Sequence, residues 1–391
     1  MTTNRSSTNP SEAIQNAKAL SKRLKQAQGG DAAQSKSDTL PGMEPSPEAL
    51  AAFRAKSKAA PVKHARVASA PPAPALVEQG NSVSPREFDL ISAGAAIAMD
   101  QPTDSDKAFL AKQLVQATLP HTDPGEVPVW SRRNGSLTLA IQQGYNPDGT
   151  SIGHPYGTIP RLILYWLTTE ALRLKEKNEG STDFSKRIEL GDSLGAFMRE
   201  LGLDPRRGGA RSDRVRLEQQ MRRLFAARIS FVAETTSADG KVAGIGTRYM
   251  DIAEQTVFWW DVAGKSSVYQ SSLWESFIVV HDSFFRQLTD AAVPVDMRAV
   301  GALQRSPLAL DLYNLMAYNS FRAHKSGKPV YMTFKQMQAA LGTNYKDVDN
   351  VKKAVKSTLT KVLAVYPGLK LTDRQGGIEV HQASRPAIPV R

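Results

Sequence analysis

Residues of the kinds that carry out catalysis are sparse in this sequence and poorly spaced for it. The chain has no cysteine, which excludes a disulfide framework and a thiolate metal site. Its six histidines never fall two to five residues apart, so the sequence contains no local metal site and no His-x-His nickase motif. We therefore expect neither a metal nor a cofactor.

One short segment resembles the end of a phosphate-binding loop. Gly264, Lys265 and Ser266 match its last residues, but the position of its first glycine is occupied by Trp259. An indole there fills the space in which backbone amides would approach a phosphate, so we interpret Lys265 as an ordinary loop lysine. A nickase or primase would need a tyrosine with a histidine cluster, or grouped carboxylates. Since neither occurs at a recognisable spacing, we predict that the protein is not an enzyme.

Positive charge is the strongest chemical signal in the chain. The 391 residues carry a formal net charge of +12. Residues 193–229 contain nine Lys and Arg against four Asp and Glu, and residues 346–374 contain seven against three. Charge concentrated in short segments is typical of nucleic-acid binding. The sequence therefore predicts two separate surfaces that contact DNA.

Residues 306–381 contain, in order, every part of a helix-turn-helix followed by a β-hairpin wing. A Ser-Pro pair at the start is typical of the first turn of a helix, and leucines then recur at helical spacing. Thr333 and Gln336 have the spacing of a capping box, which predicts that a second, short helix begins there. The helix-turn-helix is expected over about residues 333–365, and the wing over about residues 369–381.

The third helix of this segment is expected to read DNA. Asp347 suits its N-cap, and valines and leucines at helical spacing, Val348 among them, keep one face apolar. The remaining faces are basic and lack acids after Asp349. The predicted DNA-binding residues of this unit are Lys346, Asn350, Lys352, Lys353, Lys356 and, at the tip of the wing, Arg374.

The same order of elements occurs earlier in the chain and predicts a degenerate internal repeat. Its helix-turn-helix is expected over about residues 193–228 and its wing over about residues 229–249. Arginines crowd the start and outer face of the third helix, Arg223 included. The predicted DNA-binding residues are Arg206, Arg207, Arg211, Arg214, Arg216 and Arg222. Among both sets, the candidates for hydrogen bonds to base edges are Arg211, Arg214, Asn350 and Lys353.

Other segments complete the predicted organisation. Ser84 and Glu87 have capping-box spacing and predict a helix to about residue 99; a second helix is expected over residues 104–119. The Asn134-Gly135 pair predicts a tight hairpin. Trp259, Trp260, Phe284 and Phe285 are interpreted as core packing, with an oligomer contact as the alternative.

These elements predict an α+β protein with tandem winged-helix units. We expect a disordered basic tail over residues 1–84, an N-terminal unit over residues 85–290 and a C-terminal unit over residues 291–391. Within the tail, residues 11–28 fit either a solvated arm or an amphipathic helix that docks on a partner or a membrane surface. No apolar run is long enough to span a bilayer, and a signal-peptide core is lacking. A soluble cytoplasmic protein without a membrane partner is expected.

Several blocks of sequence resemble RepA-type plasmid replication initiators, from about residue 127 to 380. The matching blocks are 155–162 (PYGTIPRL), 166–171 (WLTTEA), 197–198 (FM), 201–203 (LGL), 220–225 (QMRRLF), 284–285 (FF), 293–296 (VPVD) and 305–313 (RSPLALDLY). The resemblance covers both predicted units and does not extend to the predicted tail.

The resemblance implies a protein that binds double-stranded DNA at repeated sequences, called iterons, in a plasmid origin. Such initiators open an adjacent A·T-rich stretch and recruit the host initiator protein and the replicative helicase. Many of them also form homodimers that repress their own gene. The resemblance assigns these roles to regions and not to individual base-reading residues. The alternative interpretation is a DNA-binding transcriptional repressor without initiator activity.

The C-terminal assignment can be tested on the predicted reading helix. Replacing Lys352, Lys353 and Lys356 with alanine is expected to weaken binding to the origin repeats by at least about tenfold, because cations that neutralise phosphates are lost. Fluorescence anisotropy with a labelled repeat duplex would measure the change. Unchanged affinity would rule out this helix as the DNA contact.

Overall fold

A computed structural model describes residues 84–181, 183–206, 208–236, 242–258 and 276–388. Its α-helices are α1 (Pro85–Met99), α2 (Lys112–Gln116), α3 (Thr158–Lys177), α4 (Leu194–Glu200), α5 (Asp213–Ala226), α6 (Asp282–Asp290), α7 (Met297–Leu303), α8 (Pro307–Ser326), α9 (Phe334–Ala340) and α10 (Val348–Val365). The predicted tail, Trp259, Trp260 and Lys265 lie outside the described residues.

The strands form several small antiparallel sheets. They are β1 (Lys107–Ala111), β2 (Val129–Asn134), β3 (Leu137–Gln142), β4 (Gly144–Tyr145), β5 (Ser151–Gly153), β6 (Arg187–Glu189), β7 (Arg228–Thr236), β8 (Val242–Asp251), β9 (Ala253–Val257), β10 (Phe277–Val280), β11 (Ala292–Asp296), β12 (Val330–Thr333), β13 (Leu371–Arg374) and β14 (Gly377–Val380). Their orders are β1-β11, β4-β5, β6-β10-β9, β12-β14-β13 and β2-β3-β7-β8.

The C-terminal segment has the winged-helix fold that its sequence predicts. Ser306 caps α8, and Thr333 and Gln336 form the capping box at the start of α9. After α10, β13 and β14 make the wing, and β12 pairs with β14 along Val330–Val380 to Thr333–Gly377. Local capping chemistry therefore placed the helix starts correctly, because each cap involves residues only three apart.

The N-terminal segment has the same element order but different strand pairing. Its wing, β7 and β8, belongs to a four-stranded sheet with the β2-β3 hairpin, whereas β6 pairs with β10 and not with the wing. The hairpin turn lies one residue later than predicted, since Asn134 pairs with Leu137 and Gly135 takes a φ of 60° in the loop. β6 and β10, like β3 and β7, lie far apart along the chain, so the sequence carries no local signal for their pairing.

Residues 104–119 do not form one helix: they contain a short 3-10 turn, β1 and α2. The pairing of β1 with β11, which lies far later in the chain, stabilises an extended conformation that helical spacing could not reveal. Phe284 and Phe285 are buried in the core, as predicted.

The two winged-helix segments are in contact through several elements. α1 packs on α10 so closely that a Cβ on Gly94 would lie 1.7 Å from the carbonyl oxygen of Ala364. The face of α1 that packs on the core is half-buried and consists of residues at helical spacing, Leu90, Ala93 and Ile97. The division of the chain at residues 290 and 291 stays a prediction.

A buried ionic cluster joins the starts of α3 and α8. The Arg161 guanidinium donates to both carboxylate oxygens of Asp311, at 2.7 Å each, and to the carbonyl oxygens of Leu119 and Pro120. His121 Nε2 lies 2.7 Å from the same carboxylate. Arg161 and Asp311 are 5% and 3% exposed at their side chains, so water does not screen the pair.

The titration of this cluster follows from its burial. Burial raises the pKa of Asp311, but the opposing effect of Arg161 is stronger and holds that pKa below the usual range. The pKa of His121 is lowered, first by burial and then by the charges of Arg161 and Arg132, although Asp311 opposes the shift. His121 is therefore neutral near pH 7 and donates its Nε2 hydrogen to Asp311.

Removing the Arg161 guanidinium should lower the stability of the folded protein. Arg161→Ala leaves the Asp311 carboxylate buried without its main partner, and we expect a loss of about 3–5 kcal/mol in the free energy of unfolding. Urea denaturation followed by circular dichroism measures this loss. Arg173→Ala is the matched control, because it breaks an exposed pair with Glu170 on the same helix and should cost less than about 1 kcal/mol. Equal losses in the two variants would contradict the role of the cluster.

Stability should also decrease in mild acid. The unfolded chain takes up a proton on His121 near the ordinary pKa of 6.5, whereas the folded chain resists protonation, so stability falls as pH drops below about 6.5. We expect a lower Tm at pH 5.5 than at pH 7.5, measured by calorimetry. His121→Gln should reduce this difference, and the same change at exposed His324 should not. A wild-type Tm that does not change over this range would refute the prediction.

Candidate nucleic-acid interface

α10 presents one exposed polar face. Asp347 caps its start by accepting from the backbone N–H of Asp349. Val351 and Val355 are fully buried, as predicted, because they fall on the helix face that packs on α8 and α9, whereas Val348 in the first turn is exposed, contrary to the prediction. Asn350 and Lys353 lie on the opposite, exposed side, three residues apart.

Two predicted lysines of α10 and the wing arginine have intramolecular partners. The Lys352 ammonium lies 6.0 Å from the centroid of the Phe334 ring, and Lys356 forms an ion pair with Asp373 of the wing. Arg374 pairs with Glu379 at 2.9 Å, and this hydrogen bond raises the pKa of Arg374. α10 itself carries no acid after Asp349, as expected, but the wing places Asp373 beside Lys356, so this lysine is not free of an acidic partner.

The turn before α10 adds further polar groups. Lys346 is exposed in this turn, next to the exposed ring of Tyr345. A surface concavity beside them is also lined by Lys335, Gln338 and Arg132. Sequence spacing gave no reason to place Arg132 here, because it belongs to β2, far earlier in the chain.

The arginines of the N-terminal segment are mostly paired with nearby carboxylates. Arg206 pairs with Asp204, Arg214 with Glu218 and Arg216 with Asp213, at 3.0 to 3.2 Å. Arg211, just before α5, is exposed and has no ion-pair partner within the described ranges. Arg222 is exposed on α5, and Arg207 lies outside the described residues.

Arg223 does not belong to the outer face of α5. Its guanidinium donates to Asp123 at 2.8 Å and to the carbonyl oxygen of His154 at 3.2 Å, and it lies 5.1 Å from the centroid of the Tyr156 ring. It therefore holds the loop before α3 against α5. Helical spacing placed it outward because the loop that covers it is distant in sequence.

Two residues that sequence reasoning missed lie on the exposed face of α5. Val215 and Gln219 are both exposed, and their spacing places them on the face of Arg222. A glutamine amide can form two hydrogen bonds to an adenine edge, and a valine methyl can contact the thymine methyl. The spacing of four residues from Val215 to Gln219, and of three from Gln219 to Arg222, was the feature of the sequence that indicates a shared helix face.

Other kinds of site find no support in the described parts of the chain. No group of three or more His, Cys, Asp or Glu there is placed to hold a metal ion. No described helix combines the length and apolar character needed to cross a membrane. The prominent side-chain constellations of the described residues are thus basic and polar surfaces, not clustered metal ligands.

Comparison with known proteins gives one family match. A family model described as plasmid encoded RepA protein matches residues 154–335, from just before α3 to the first turn of α9. No curated protein matches the sequence. Among solved structures, a selenomethionine crystal structure of domains 2 and 3 of RctB is similar, with 12% identity and a TM-score of 0.39. A second structure of these RctB domains has 11% identity and a TM-score of 0.38; in both cases 68% of this chain and 94% of the other are covered.

Proposed function

We propose that this chain initiates plasmid replication by binding repeated sequences in the origin, because its residues 154–335 match the model of the plasmid-encoded RepA protein family. The family match covers the N-terminal helix-turn-helix, its wing and α8. It stops before α10, so the reading role of the C-terminal segment rests on that helix's own exposed residues.

The observation that carries this proposal is the exposed polar face around the start of α10. Lys346, Asn350 and Lys353 are exposed there, and the described residues offer the two lysines no carboxylate partner. Cations free of internal partners can neutralise phosphates at little cost, whereas paired ones must first give up an ion pair. An asparagine beside them can form two hydrogen bonds to an adenine edge.

Two helix-turn-helix segments in one chain suit a long binding site. α5 and α10 can enter successive major grooves about one helical turn apart, so that one protomer reads a site for which single-unit proteins need a dimer. The exposed lysines and arginines supply affinity with a steep salt dependence. Arg211, Asn350 and Lys353 are the proposed base-reading residues, with Gln219 added from the structure. Arg214 is not among the proposed base-reading residues, because its guanidinium is paired with Glu218.

Events after origin binding are part of the same proposal. The bound protein would open an adjacent A·T-rich stretch and recruit the host initiator protein and the replicative helicase, in the cytoplasm. A homodimer that represses its own gene would limit copy number. The proposed chemistry is binding alone, without catalysis by the chain.

The first experiment is fluorescence anisotropy of the full chain with the plasmid's directly repeated origin segment and with a shuffled duplex, over a salt series. A preference for the repeat of about a hundredfold or more at near-physiological salt is expected of a specific binder. Equal binding to both duplexes that disappears as salt rises would contradict iteron recognition.

Plasmid maintenance separates an initiator from a repressor. A host that supplies the gene in trans should sustain a plasmid whose only origin is the repeat segment. Repression of a reporter without plasmid maintenance would favour the transcriptional-repressor alternative.

A further inference from the structure

The turn between α9 and α10, residues 341–347, is held by residues from the N-terminal part of the chain. The backbone N–H of His121 donates to the carbonyl oxygen of Gly342 at 3.1 Å, and the Asn344 amide donates to the Thr122 hydroxyl at 2.8 Å. A Cβ on Gly342 would lie 1.9 Å from the carbonyl oxygen of Leu119, so only glycine permits this approach.

Arg132 makes the most direct of these contacts. Its Nη1 donates to the carbonyl oxygen of Gln338 at 2.9 Å, and its Nη2 donates to the carbonyl oxygen of Thr343 at 2.7 Å. Gln338 lies in the last turn of α9 and Thr343 in the turn that follows. One planar guanidinium thus fixes the distance between the end of the second helix and the turn, which the fork of donors on arginine suits.

The Gln338 side chain extends this restraint to the start of α10. Its Nε2 donates to the carbonyl oxygens of Tyr345 and Lys346, at 2.9 and 3.1 Å. Asp347, the N-cap of α10, follows directly. Hydrogen bonds therefore lead from Arg132 through Gln338 to Lys346, the residue before the N-cap of α10.

The strand that carries Arg132 belongs to the sheet of the N-terminal wing. β2 pairs with β3, and β3 pairs with β7 of the wing. Successive side chains of a strand point to opposite faces, and Arg133 accordingly turns away and pairs with Glu234 of β7. The two neighbouring arginines thus contact different elements. Arg132 holds the turn between α9 and α10, whereas Arg133 pairs within the sheet of the N-terminal wing.

We propose that Arg132 is a positioning residue for DNA recognition: it sets α10 relative to the N-terminal wing sheet, so that both units fit one DNA site. Recognition geometry must be held within roughly 0.5 Å by supporting contacts, which a two-carbonyl clamp provides. Arg132 acts on bases only through α10. This inference rests on the proposed function, since it concerns specific binding of the same repeats.

The test compares Arg132→Ala with the wild-type chain on the repeat and the shuffled duplex. We expect binding to the repeat to weaken by at least about tenfold, with little change in binding to the shuffled duplex or in the salt dependence. Arg132→Lys should recover part of the loss, because an ammonium can still donate to these carbonyls. Arg133→Ala removes the same charge from the same strand and should change repeat binding by less than about twofold.

Specific results would overturn the proposal. Equal weakening on both duplexes with a shallower salt dependence would make Arg132 a phosphate contact. Unchanged repeat binding would remove it from recognition altogether. A loss of repeat binding that matches the loss of folded protein, measured by urea denaturation, would leave it a purely structural residue.

A second readout does not depend on DNA. Hydrogen exchange of the backbone amides of residues 341–350 should become faster in Arg132→Ala and stay unchanged in Arg133→Ala. Unchanged exchange in both variants would refute the clamp. If the wild-type chain bound both duplexes equally, the proposed function would fail, whereas faster exchange would still show that Arg132 controls the turn.

Discussion

The structure depends on the buried ion pair between Arg161 and Asp311. It joins the starts of α3 and α8, the two scaffold helices, and the same guanidinium holds the carbonyl oxygens of Leu119 and Pro120. Burying two charges is costly unless each is fully hydrogen-bonded, and here the carboxylate accepts from both Arg161 and His121. Such a pair tolerates few alternative arrangements, so it fixes how the two segments meet.

The segment around residues 118–121, which Arg161 and Asp311 hold in place, also supports the C-terminal helix-turn-helix. Thr118 donates its backbone N–H to Ala340, His121 donates to Gly342, and Arg132 holds the turn from the neighbouring strand. The two winged-helix segments consequently share their supporting contacts. A DNA-binding protein whose two units are already oriented loses less conformational entropy on binding DNA than a protein whose units move freely on a linker.

The distribution of charge changes once ion pairs are considered. The sequence suggests two basic clusters of similar strength, but Arg214, Arg216 and Lys356 each have a carboxylate partner within hydrogen-bond distance. The pairs of Arg214 and Arg216 link residues within α5, and the pair of Lys356 links α10 to the wing. The cations that can neutralise a phosphate without breaking an internal pair are therefore fewer than the sequence suggests, and Lys346 and Lys353 near the start of α10 are two of them.

The sequence by itself determined the order of elements in the two winged-helix segments, the caps at Ser84 and Thr333, and the match of residues 154–335 to the RepA family model. Those features depend on residues a few positions apart or on blocks of matching sequence. Only the tertiary structure decided that β1 pairs with β11, that the N-terminal wing joins the β2-β3 hairpin, and that Arg132 clamps a distant turn. The physical reason is that a strand partner or a buried counter-ion is selected by proximity in space, and the periodicity of the chain carries no record of partners that lie so far apart along it.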